Sequence, residues 1–227
     1  SFPTRRSSDL AVQLSSGWEK ELAIALDDSF PFASLLPIID EFHALNKQTR
    51  LSFTHHTLAG SWEELTHNGA DIILGAINEP PTSAAWSYKM LGTLDNVFVV
   101  APEHPLAAAP DGLTNEQLCL HRAIIISDSA RFCHPLQTNL MEEQAQIRVD
   151  DFHSKVMLLR AGMGCGFLPR HIASPWLATG ELVEKTVISF RQKDVAYMAW
   201  RNNRDGLAQR WWRDALLASP AIAHLYQ

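Results

Sequence analysis

The stretch DDFHSKVMLLRAGMGCGFLP, residues 150–169, reads as a helix, a stop and a short buried strand. Asp150 and Asp151 are able to cap a helix, Phe152, Val156 and Leu159 recur at helical spacing, and Gly162 ends the run. Gly164 and Gly166 then allow close backbone approach. Cys165, Phe167 and Leu168 are apolar, and Pro169 keeps the strand from continuing as a central ladder. The N-terminus of such a helix aims free N–H groups and a partial positive charge at whatever lies in front of it. Residues 150–154 therefore face a ligand if the fold supplies a cleft there; in the simpler alternative the aspartates only cap.

The same alternation extends in both directions. Upstream, residues 22–26 are a short apolar strand, Asp27-Asp28-Ser29 a turn, and residues 32–45 a helix whose apolar residues cover about half its circumference instead of the ~100° stripe of a one-sided helix. That helix needs a second partner. Residues 50–56 read as a strand, Ser61-Trp62-Glu63-Glu64 as a capping box opening a helix that Asn68-Gly69 closes, and residues 71–76 (DIILGA) as a strand buried on both faces. Two further strands follow at 88–94 and 96–101, and the prolines after them make a stiff exit. The pattern then restarts with a short helix at 115–119, strands at 123–126 and 146–149, and the opening element. A strand at 195–201 and a final helix at 207–217, carrying Trp211 and Trp212, complete the chain. Strands alternating with helices and restarting after residue 100 predict an α/β protein of two similar lobes.

Composition narrows the function. A 227-residue chain that is 46% hydrophobic suits one large or two smaller soluble domains, and no apolar run is long enough to span a membrane. With 25 acidic against 19 basic residues the net charge is −6, so this chain has no general attraction to nucleic acid. Cys119, Cys133 and Cys165 lack C-x-x-C spacing, which argues against a disulfide framework and a zinc site and fits a reducing cytoplasm. Residues 1–10, SFPTRRSSDL, carry no signal-peptide apolar region and read as a non-native tail. Residues 11–20 then read as the last turns of a linker helix, of which 11–17 are the remnant.

Candidate chemistry is sparse. His55 and His56 are adjacent on a strand, so they face opposite ways and cannot share a metal. No catalytic, phosphate-binding or dinucleotide motif appears, and the glycines at 162, 164 and 166 follow a helix, the wrong context for a dinucleotide. No catalytic residue, metal or cofactor is assigned. Cys133 beside His134 is a weak redox candidate, and Arg201, Arg204, Arg210 and Arg213 read as a solvated face. What remains is a set of polar turns at strand ends: Asp27-Asp28-Ser29, Ser127-Asp128-Ser129 and residues 150–154. Ligands bind outside the carboxyl ends of strands in open α/β sheets, so two facing lobes would bring these turns together at one cleft.

Five runs sharpen this expectation: LLPIIDEF around Pro37, LAGSWEEL with NGADIILGA across 58–76, VFVVAPEHPLA at 97–107, LLRAGMGCGFLP at 158–169 and GELVE at 180–184. Each is weak alone, but their order and spacing resemble the LysR-type transcriptional regulators over nearly all of residues 18–201. Gly17-Trp18-Glu19 and the run from Leu58 to Glu63 look closest to YhaJ-like members. The resemblance implies an effector-binding domain with the periplasmic-binding-protein type II fold, two Rossmann-like lobes joined by two crossing strands at 96–101 and 195–201. Lobe I would be residues 18–98 plus 196–227, and lobe II residues 99–195. The effector would sit on Asp27, Asp28 and Ser29; Leu58, Ala59, Gly60 and Ser61; Ser127, Asp128 and Ser129; and Asp151, Phe152, His153 and Ser154. The aspartate pair at 27–28, where many members carry Ser or Thr, argues against a simple carboxylate effector and for a small polar molecule with several donors. The implied partners are a second copy of the chain, through helix 32–45 (with Ile38 and Leu45 exposed) against lobe II, and DNA through a winged helix-turn-helix not present here. The resemblance implies a non-enzyme. The rival expectations are a periplasmic solute receptor of the same fold and an enzyme on it.

Overall fold

The computed structural model describes residues 17–46, 48–129, 144–188 and 193–227. In chain order these form β1 (Glu21–Asp27), a 3-10 turn (Phe32–Leu35) leading into α1 (Leu36–Leu45), β2 (Arg50–His56), α2 (Ala59–Glu63) continued by a π turn (Glu64–Asn68), β3 (Ile72–Ile77) and the long β4 (Trp86–Val100). Then come α3 (Asn115–Cys119), β5 (Ala123–Ile126), β6 (Gln146–Val149), α4 (Phe152–Arg160), β7 (Gly166–Pro169), α5 (Arg170–Ala178), β8 (Val183–Lys185), β9 (Lys193–Arg201), α6 (Leu207–Ala218) and α7 (Pro220–Leu225).

One sheet runs β2-β1-β3-β9-β4-β7, with β1 parallel to β2 and β3 and with β9 antiparallel between β3 and β4. β5 and β6 form a parallel pair, joined to the approach of β7 by a bridge between Ala123 and Cys165. β4 belongs to both halves of the molecule: Trp86 to Asp95 pair with β9, and Asn96 to Val99 pair with β7. Two lobes result, hinged on that shared strand.

Strand alternation fills a core on each face of each lobe. In the first lobe Leu22, Ile24 and Leu26 pack with Phe42, Trp212 and Leu216, whereas Ala25 and Ile73 pack with Trp62 and Leu65 on the other side. In the second, Val97 and Val99 meet Val156, Leu159 and Leu168, while Phe98 and Val100 meet Leu106, Leu113 and Leu118. Fully burying each such Leu, Val or Phe contributes roughly 1.5–3 kcal/mol. The glycines of the opening stretch do what the sequence requires of them. A Cβ on Gly164 would press on the Arg122 carbonyl and one on Gly166 on the Ile124 carbonyl, so only glycine lets this segment lie against β5.

The structure corrects several expectations. Residues 88–94 and 96–101 are one strand, because Asp95 continues the ladder opposite Lys193 and the only irregularity is a bulge between Met90 and Gly92. Ser61 caps nothing: it is buried inside α2, which starts at Ala59 and has Leu58 at its cap position. Ile38 is 7% exposed and belongs to the core. A 3-10 turn precedes α1, and its tighter winding puts Leu35 and Ile38 on one inward face with Phe42. The exposed apolar residues there are Phe32, Leu36 and Leu45. Residues 17–20 form no helix; the other residues of the expected linker helix, the tail at 1–10, and Cys133 with His134 lie outside the described residues. α5 and α7 are additional, so the chain does not end with the helix at 207. The arginines are not merely solvated. Arg201 Nε donates to the Ala70 carbonyl (2.8 Å), Arg204 pairs with buried Asp71 (3.1 Å), and the Arg213 guanidinium lies over Trp200.

Candidate functional site

β1, β2, β5 and β6 all end at the seam between the lobes, at Asp27-Asp28-Ser29, Thr57-Leu58, Ser127-Asp128-Ser129 and Asp150-Asp151. A cavity of about 590 Å³, mouth included, opens there. Its polar lining is Asp27, Ser29, Thr57, Asn96, Lys155 and Asp194; its apolar walls are Leu58, Ile77, Leu94, Ile126, Phe152, Phe167 and Pro169.

Two of the polar groups are unusual. Asp27 is 4% exposed, and burial pushes its carboxyl up to about 6, although the backbone N–H (3.0 Å) and hydroxyl of Ser29 both donate to it. Nearby Asp28 and Asp194 add to the rise. Lys155 is also buried, and desolvation brings its amine down to about 7. On the opposite wall Asn96 Nδ2 donates to Asp194 Oδ2 at 2.7 Å. Tyr226 of the C-terminal segment is buried near Asp27, beside Gly75, its phenol pushed up by burial.

The lobes cap each other. Asp28, in the first lobe, accepts from the Phe152 N–H at the start of α4 in the second (2.7 Å). Asp128, in the second, accepts from the Ala59 and Gly60 N–H groups at the start of α2 in the first (3.3 and 3.2 Å). Leu58 takes the left-handed region (φ 53°), a strain of about 1–3 kcal/mol that aims those two N–H groups at Asp128. Thr57 N–H donates to Ser129 Oγ (2.9 Å), the Thr57 hydroxyl donates to the Ser127 carbonyl (2.6 Å), and Ser129 N–H donates to the Thr57 carbonyl (3.3 Å). His171 on α5 uses its Nε2–H to reach the Ser29 carbonyl (2.7 Å), and burial lowers its pKa, favouring the neutral ring.

Of the residues expected at the site, Asp27, Ser29, Leu58 and Phe152 line the cavity. Asp28, Ser129 and Asp151 border a neighbouring hollow with His55 and His56. Ala59, Gly60, Ser127 and Asp128 build the seam. Ser154 is tied to Asp151 through its N–H and hydroxyl (both 2.7 Å), which holds that carboxyl below its usual range, and His153 is exposed. Sequence reasoning passed over Thr57, Ile77, Leu94, Asn96, Ile126, Lys155, Phe167, Pro169 and Asp194. The signal for Thr57 and Asp194 was their position beside strand ends; Asn96 lies within β4, where its pairing passes from β9 to β7. His55 stands 3.9 Å from Asp28 and His56 3.7 Å from Glu64, and among the described residues no cluster of three metal-ligating side chains forms.

This two-lobed arrangement, with its cavity at the strand ends, agrees with a family match: the LysR substrate binding domain covers residues 15–221. The chain belongs to that family. It is 43% identical over 216 residues to the uncharacterized HTH-type transcriptional regulator YeeY of Escherichia coli K12, spanning 95% of this chain and 70% of YeeY. It is 31% identical over 201 residues to the probable HTH-type regulator YhaJ of the same strain, spanning 88% and 67%. Full-length LysG of Corynebacterium glutamicum, solved with the bound effector arginine, has the same fold: the TM-score is 0.67 at 17% identity, over 96% of this chain and 72% of that one. The LysR-type chain is thus the effector-binding domain of a transcriptional regulator, with the periplasmic-binding-protein type II fold, and not a free periplasmic receptor.

Proposed function

We propose that this domain senses a small polar molecule in the cavity between its lobes, with the divide falling so that residues 18–98 and 196–227 form one lobe and 99–195 the other. The observation that carries the proposal is the cavity itself, which sets buried Asp27 and Lys155 among apolar walls. Convergent polar groups in a mostly apolar pocket at strand ends are the usual form of a small-molecule site. Asp28 and Asp128 are engaged as caps of the opposite lobe and do not line the cavity. The polarity of the ligand is therefore set by Asp27, Lys155 and Asp194. The domain acts as a switch without catalysis, in the cytoplasm, and DNA is bound by a separate part of the parent regulator. No helix of the described residues is long and apolar enough to cross a membrane.

The test is a small-molecule screen by thermal shift on the wild type and on Ile77→Trp, which fills the cavity at the end of β3. A true effector at a hundredfold excess over Kd stabilises the wild type by about 2.7 kcal/mol. That shift is expected to vanish in Ile77→Trp while the ligand-free melting temperature stays within a few degrees. An effector that stabilises both proteins equally binds somewhere else.

The same reading includes self-association through α1 and the 3-10 turn before it, where Leu36 (57% exposed), Leu45 (59%) and Phe32 (37%) stand in water. The double variant Leu36→Glu, Leu45→Glu is expected to sediment as a folded monomer with unchanged far-ultraviolet circular dichroism. A variant that still sediments as the wild-type oligomer rules this face out.

A further inference from the structure

We propose that Lys155 is the recognition group of the inter-lobe cavity and selects effectors that present a carboxylate on an apolar body carrying a hydroxyl or amino group. The proposal deepens the effector-site reading above and rests on it.

The geometry is that of a buried amine that faces a cavity. Lys155 lies in the first turn of α4, is 6% exposed, and lines both the inter-lobe cavity and the smaller hollow behind it formed with Cys165 and Phe167. Among the described residues its Nζ makes no hydrogen bond and no ion pair; the Phe152 ring lies 5.9 Å away and the Cys165 thiol faces it. An ammonium taken from water without a counterion costs several kcal/mol, so a buried lysine is ordinarily paired. The titratable groups that face it do not fill that role. Cys165 is pushed up to about 12 by burial and remains a neutral thiol; Asp27 is engaged with Ser29, and Asp194 with Asn96. The carboxylate that Lys155 lacks is supplied by the ligand. Phe152, Phe167 and Leu58 accept the apolar body, and Asp27 accepts a hydrogen bond from the hydroxyl or amino group at the other end. Because burial brings the amine down to about 7, a carboxylate that restores its charge draws a proton from solvent when it binds above that pH.

Matched acids and amides test this: benzoate against benzamide, 4-hydroxybenzoate against 4-hydroxybenzamide, and 4-aminobenzoate against 4-aminobenzamide, each by thermal shift and calorimetry on wild type, Lys155→Met and Ile77→Trp. At least one acid is expected to bind saturably, its amide at least tenfold more weakly, with proton uptake at pH 8 shown by buffers of different ionisation enthalpy. Lys155→Met is expected to lose at least tenfold in acid affinity and to melt no lower than wild type without ligand, since a buried amine without a partner has been replaced by an apolar side chain of similar size. Equal binding of acid and amide, full affinity in Lys155→Met, a destabilised Lys155→Met, or no saturable acid overturns the assignment. An amide that stabilises wild type and Lys155→Met alike but not Ile77→Trp keeps the cavity as the effector site and removes only Lys155 from it. Binding unaffected by both variants removes the cavity as well.

Discussion

A single methyl group at residue 60 is expected to hold the two lobes apart. A Cβ on Gly60 runs into Ser129 Oγ and presses on the Ser129 backbone, so Gly60→Ala cannot keep the seam as it stands. Alanine is otherwise the better helix residue, by about 1 kcal/mol, and the first turn of α2 itself should gain. The loss falls on the contacts between lobes: Thr57 N–H to Ser129 Oγ, Ser129 N–H to the Thr57 carbonyl, and the two bonds from α2 to Asp128. At about 1 kcal/mol each, losing three of them shifts the closed-to-open ratio roughly a hundredfold. Small-angle scattering should show a larger radius of gyration, and stabilisation by an effector should disappear while the unliganded melting temperature changes little. Scattering and ligand response identical to wild type would mean that the seam does not control closure.

The second large effect is at residue 38. Ile38→Glu puts a carboxylate among Leu35, Phe42 and Trp212, where it has no partner. The cost exceeds about 4 kcal/mol against a total stability on the order of 5–15 kcal/mol. The variant is therefore expected to lose its near-ultraviolet circular dichroism and to aggregate, in contrast to the folded monomers expected from Leu36→Glu, Leu45→Glu. Soluble Ile38→Glu monomers with native dichroism would show that the residue faces a partner subunit and not the core.

Local signals carried much of this architecture. Residues 50–56, 115–119, 123–126 and 146–149 form the elements their apolar patterns and caps specify. Asp151 caps α4 through Ser154, as the opening stretch implies. What escaped depends on tertiary context. α5 holds Pro175 and follows Pro169, so its sequence reads as a loop, yet Ala173 is buried and Trp176 and Leu177 pack against the second-lobe core. Lys155 looks like a solvent-facing helical lysine until β7 closes over it, with Gly166 leaving room for its side chain. The turn aspartates were legible as caps, but Asp28 and Asp128 cap helices more than sixty residues away in sequence, a pairing no local pattern encodes.

Those reciprocal caps couple the resting state of the domain to its ionic surroundings. Each is a carboxylate held by the partial positive charge of a helix in the other lobe, an attraction that dissolved ions weaken wherever the seam meets water. The two are oppositely directed across the seam, so added salt loosens both together and neither lobe compensates for the other. The strength of the seam is therefore tied to ionic strength, and closure of the two lobes is expected to weaken as salt is raised.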